Sequence, residues 1–160
     1  MAQTDIFLKI EGSKQGPIKG EASDPAHPDE VDVLSWSWGM ESHSSIQAGL
    51  AGNKTSISEL TVTKRADKAS TAIMASLRNN EIIKKATLTV RKAGEKPLEY
   101  LKITLEKARI VSLSTSCSSA EGGPEVTEQV AFAFKKFTVE YTPQGKDGLG
   151  QGSTMFETEV

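Results

Sequence analysis

Two histidines and one cysteine are the only groups of their kind in this 160-residue chain, so nucleophilic or metal-assisted chemistry would rest on very few side chains. His43 stands among Ser42, Ser44 and Ser45, and a Ser-His pair can be written down. A nucleophile and its base must meet in space, with a third group orienting the base, and adjacency along the chain does not supply that geometry. His27 lies between prolines in SDPAHPDE and reads as a solvated loop histidine. Asp29, Glu30 and Asp32 form the densest carboxylate group and read as the solvated approach to a strand. Cys117 sits in a serine-rich run, and no repeated Cys/His spacing suggests zinc. GLAGNKTS places glycine near Lys-Thr but lacks the Walker spacing and does not open a helix. The expectation is a non-enzyme without metal or cofactor.

The elements that position these groups belong to one domain, residues 1–160, large enough at 17.2 kDa for a single core. A net charge of -2, a pI near 5.8 and scattered basic pairs argue against a nucleic-acid partner. No window approaches the about 18 apolar residues of a membrane helix, and the N-terminus lacks the pattern of a cleavable signal peptide, so no membrane insertion is expected. A single cysteine suits folding in a reducing cytoplasm.

Alternation of period two recurs along the chain. In DIFLKIEG, Ile6, Leu8 and Ile10 share one face, and GSKQGPIKGE turns into a second short strand. In VDVLSWSWGM, Leu34, Trp36, Trp38 and Met40 make an apolar side, most simply core, opposite Ser35 and Ser37. ESHSSIQAGLAGNKTS, about residues 41–56, reads as a long loop in which Ile46 and Leu50 either fold back or meet a partner chain. ISELTVTK resumes strand character through Ile57, Leu60 and Val62. ASTAIMASLRNN predicts a short helix over about 70–79, N-capped by Ser70, with Ile73, Met74 and Leu77 forming its apolar stripe.

ATLTVRK and YLKITLEKARIVSLS read as an antiparallel pair, followed by a loop at SSAEGGPE. VTEQVAFAFKKFTVEYTPQ changes phase at Lys135-Lys136, the mark of a bulge that turns a corner. A Gly-rich tail follows from about residue 144, and its first part is expected to be mobile. The fold class expected is mainly β: an antiparallel β-barrel of two curved sheets, about seven strands, with one flanking α-helix.

The order IFLKIEG, IKGEASDPAHPDEVDVLSWSWGM, LTVTKRADKAS, ATLTVRKAG, LEYLKITLEKARIVSLST and VTEQVAFAFKKFTVEYTPQ, over about residues 4 to 143, resembles the hemolysin-coregulated protein (Hcp) family of bacterial type VI secretion. The resemblance implies a hexameric ring. Stacked rings would form a hollow tube with a spike protein at its tip, inside a contractile sheath. Small effector proteins would bind in the lumen, and the tube would leave the cytoplasm through the machine itself. It also implies that Ser37 faces the lumen, and by the strand period Ser35 with it. The long loop, through Ile46, Gln47, Leu50 and Asn53, would contact neighbouring subunits or stacked rings.

Two features depart from the family pattern. Thr71 follows Ser70 where many members have proline, and the ending GSTMFETEV lacks the family's tryptophan and leaves no room for a fused toxin domain. From a different functional class, the residues also admit a monomeric β-barrel that binds a small molecule or carbohydrate in its interior. A hydrolase using His43 is a third and more distant reading.

Overall fold

The computed structural model describes residues 5–42, 55–92, 98–144 and 152–160. Its strands are β1 (Ile6–Gly12), β2 (Gly16–Ile18), β3 (Val31–Asp32), β4 (Ser35–Ser37), β5 (Met40–Ser42), β6 (Thr55–Ile57), β7 (Leu60–Arg65), β8 (Ile83–Lys92), β9 (Leu98–Ala120), β10 (Gly123–Ala133), β11 (Lys136–Tyr141) and β12 (Thr154–Glu159). One helix, α1 (Ser70–Arg78), joins β7 to β8. Every pairing is antiparallel.

Two sheets share β9. Its first half pairs with β8 on one side and β11 on the other, and its second half pairs with β10, which continues to β7 and β4. The strand changes sheet at Lys107, where φ is +51°. Opposite this point, the phase slip expected at Lys135-Lys136 is a break between β10 and β11, so the chain leaves one sheet and enters the other. Lys135 N–H still bonds the Glu106 carbonyl across the corner. Leu8, Ile10, Leu60, Val62, Ile103, Leu105, Phe132 and Phe137 fill the space between the sheets, each at most 1% exposed.

The ladder does not close into the expected barrel: it runs from β2 and β3 through β1 to β4 and ends there. Among the described residues, single bonds span the gap. Val33 N–H bonds Ile6 on β1, and Leu34 N–H bonds Thr63 on β7. Several local expectations also change. The alternation of VDVLSWSWGM stops at Ser37, because at Gly39 the chain turns away to bond Ser58, and β5 pairs with β6 in a separate hairpin. Met40 is therefore 49% exposed rather than core, whereas Trp36 and Trp38 pack against the core. SSAEGGPE is a tight turn between long strands rather than a loop, with Gly123 at φ +103°. The ending TMFETE is strand β12, laid on the edge of β11.

The helix buries Ala69 and Ile73 in the core, with Leu77 packed beside them, while Met74 faces solvent. Ser70 does not cap it through its side chain, and the Asp67 carboxylate accepts from Ala69 N–H instead. Ser70 Oγ turns inward, donating to Glu128 Oε1 at 2.7 Å. The Lys64 ammonium, fully buried, donates to Glu128 at 2.7 Å, Asp67 at 2.9 Å and Ser70 at 3.2 Å. Three donors thus meet three acceptors under the helix start, as a buried charge requires.

Candidate functional site

Ser35 and Ser37 lie on a polar face that spans four strands. Across the sheet, Ser35 stands opposite Thr63, then Gln129, then Ser114. One step along, Ser37 stands opposite Thr61, Ala131 and Ser112. Between these two rows run Trp36, Val62, Val130 and Leu113, which by the period-2 pleat point to the core. The sheet is therefore apolar on one side and hydroxyl-lined on the other. Ser35, Ser37, Gln129, Ser112 and Ser114 are exposed.

The two rows carry no charged side chain. Charges flank the rows at both ends: Arg65 and Glu125 pair at 2.7 Å, each about half exposed, and the exposed Arg109 stands opposite Ala133. The face offers hydroxyl and amide groups that donate and accept in any direction, with little electrostatic preference. Its margins are open among the described residues: nothing pairs with the outer edge of β4, and the partnership of β9 with β8 ends at Ala108, leaving one edge of β9 unpaired to its end.

The remaining candidates fall elsewhere. His43, Ile46, Gln47, Leu50 and Asn53 lie outside the described residues. Cys117 is free and exposed on the projecting half of β9. Among the described residues no cluster of His, Cys, Asp and Glu could hold a metal ion, and no helix is long and apolar enough to cross a membrane.

His27 overturns its reading as solvated. It is 8% exposed, its ring stacks on Phe7 at 4.4 Å, and its two nitrogens face Glu30 at 2.9 Å and Glu99 at 2.5 Å. Glu30 is accordingly not part of a solvated carboxylate group. Proline and acidic residues marked SDPAHPDE as loop, and no local signal in the sequence pointed to the contacts with Phe7 and Glu99. The open clefts along sheet and loop margins do not coincide with the hydroxyl face.

Comparison with known proteins matches residues 7–141 to the family described as type VI secretion system effector, Hcp. The chain is 39% identical over 154 residues to a Pseudomonas aeruginosa protein named Protein hcp1, covering 94% of this chain and 91% of that one. The crystal structure of Hcp1 from Salmonella typhimurium superposes with a TM-score of 0.79 at 33% identity, over 99% of this chain and 95% of that one. A type VI secretion system effector from Yersinia pestis gives 0.75 at 29% identity, over 98% and 100%.

Proposed function

The chain belongs to the Hcp family of type VI secretion proteins, and from that premise we propose that it is a ring-forming tube subunit whose hydroxyl face lines the pore and holds small effector proteins for export. The observation that carries this reading is the four-strand face on which Ser35 and Ser37 stand with Thr61, Thr63, Ser112 and Ser114. A sheet face whose two rows carry one small apolar side chain, Ala131, needs no covering layer, and it can bind varied cargo through adaptable hydrogen bonds.

The two open edges support the assembly. They differ in length and sequence, so joining one to the other makes a head-to-tail contact, which closes into a ring when the rotation allows. A ring built this way turns the same face inward in every subunit. The interior-binder alternative gains no support, since apolar side chains fill the space between the sheets.

The test is Ser37→Gln in the full-length chain, imaged by negative stain and co-expressed with a small protein exported by the same secretion system. Rings are expected to form as in the parent while the co-expressed protein loses its protection from proteolysis and its export. Undiminished binding and export would overturn the pore-wall assignment, and a monomer at all concentrations would overturn the ring.

A further inference from the structure

Residues 20–30 leave sheet and helix behind, yet they are held down at both ends of their span. At the neck, Gly20 N–H bonds Asp29, Ala22 N–H bonds Glu30 and Asp29 N–H bonds Ala22. A side chain at Gly20 would place its Cβ 2.6 Å from the Glu30 carbonyl and 2.7 Å from Val31 Cα, so this closure requires glycine. Two charged contacts then fasten the loop across the outside of the β1, β8 and β9 sheet. Asp24 accepts from Arg91 of β8 at 2.6 Å, and His27 meets Glu99 of β9 at 2.5 Å.

These fasteners respond to protons differently. The Arg91 guanidinium, followed by the Ala26 N–H, pulls the Asp24 carboxyl down to about 2, so that contact persists through the neutral range. His27 is the group that titrates near neutrality. From the loop, Glu30 and Asp24 face it; from β1, Lys9; from β8, Arg91 through the shared Phe7 ring; and from β9, Glu99 and Lys102. Only Glu30 and Glu99 touch its nitrogens.

We infer that residues 20–30 are a strap locked by the His27 imidazolium, which bridges Glu30 and Glu99, and that loss of its proton frees the strap from β9. A neutral imidazole has one N–H and one lone pair, so it can donate to one carboxylate only and repels the other. Glu30 is three residues away on the same loop and 15% exposed, whereas the Glu99 side chain is 37% exposed and can turn to water. The contact that breaks is therefore the one across to the sheet. Burial disfavours the charge on His27, but the two carboxylates outweigh it and raise the pKa above the ordinary value. The lock is thus closed below that raised value and opens as pH rises through it. The strap runs directly into β3, and Val33 and Leu34 alone separate β3 from β4, so the same lock steadies the approach to the open edge strand.

The experiment uses the full-length chain, in which the two histidine signals are assigned with His27→Gln, and follows the imidazole titration and the amide-exchange protection of Ala22 and Asp29 from pH 5 to pH 9. His27 is expected to titrate above about 6.5, and protection at the strap neck is expected to fall about tenfold or more over the same range. In Glu99→Gln, a substitution at a partly exposed site, that fall is expected to disappear. Titration at or below the ordinary value, or the same pH-dependent fall in Glu99→Gln, would overturn the lock. Neither readout depends on ring formation, so the strap and the tube reading fail independently.

Discussion

Replacing Glu128 by alanine tests whether the charges beneath the helix hold the two sheets and α1 in register. Lys64 is fully buried and its ammonium is satisfied by Glu128, Asp67 and Ser70. Removing the Glu128 carboxylate takes away the shortest of these contacts and also the acceptor of the Ser70 hydroxyl. Breaking a buried pair from one side costs roughly 3–5 kcal/mol, because the other charge stays in the interior. Asp67 remains 2.9 Å away with its side chain 11% exposed, which places the expected loss near the lower end, about 3 kcal/mol. For a chain of this length, that lowers the thermal midpoint by roughly 6–12 °C. Differential scanning calorimetry of Glu128→Ala, of Lys64→Met and of the double variant decides it. The double variant is expected to lose far less than the sum of the singles, since it leaves no fully buried charge and the partly exposed Asp67 carboxylate keeps the Ala69 N–H. A single-variant loss below about 1 kcal/mol, or singles that simply add, would refute the account.

Phe132→Ala is expected to lose about 3–5 kcal/mol in denaturant unfolding, because the ring is fully buried in the core between the sheets. Gly20→Ala is expected to cost roughly 1–3 kcal/mol, since backbone atoms rather than a flexible side chain occupy the space of the new methyl. His27 contributes stability that is fully present below its unfolded value and is lost as pH rises through its raised folded value. Urea midpoints of the parent and His27→Gln are therefore expected to differ more at pH 6 than at pH 9.

Strand identity and the corner at Lys135 were legible in the sequence, because period-2 alternation and its slip are local consequences of the pleat. The helix was legible for the same reason, through the spacing of Ile73 and Leu77. What escaped depended on partners distant in sequence. His27 looked solvated beside two prolines, and nothing nearby announces that Phe7 and Glu99 meet it from 20 and 72 residues away. Ser70 satisfies every local rule for an N-cap, yet a buried ammonium six residues earlier recruits its hydroxyl. Met40 continued the apolar alternation on paper, but the chain leaves the sheet at Gly39. Ser35 and Ser37 showed their exposed side in the sequence, whereas the width of the face came only from the register that aligns them with Thr63, Gln129 and Ser114.

On the proposed pore-wall reading, that width would bound the cargo. Four strands, at about 4.8 Å between neighbours, give each subunit roughly 19 Å of wall. Six such widths, for the hexamer that the family resemblance implies, make a circumference of roughly 115 Å and a pore about 37 Å across between backbones. On that reading, short hydroxyl side chains would narrow the pore far less than a wall of Gln or Arg, Gln129 being the one long side chain in the two rows. A folded domain of 100 residues has a radius of gyration of about 13 Å, which corresponds to a sphere roughly 33 Å across. If the face lines the pore as proposed, folded effectors of about 100 residues would fit against the wall, and those well above about 150 residues would not. Export of one effector fused to stably folded domains of increasing size is expected to fall sharply across that range. Ring-protected export of a folded 300-residue fusion would refute a pore built from this face.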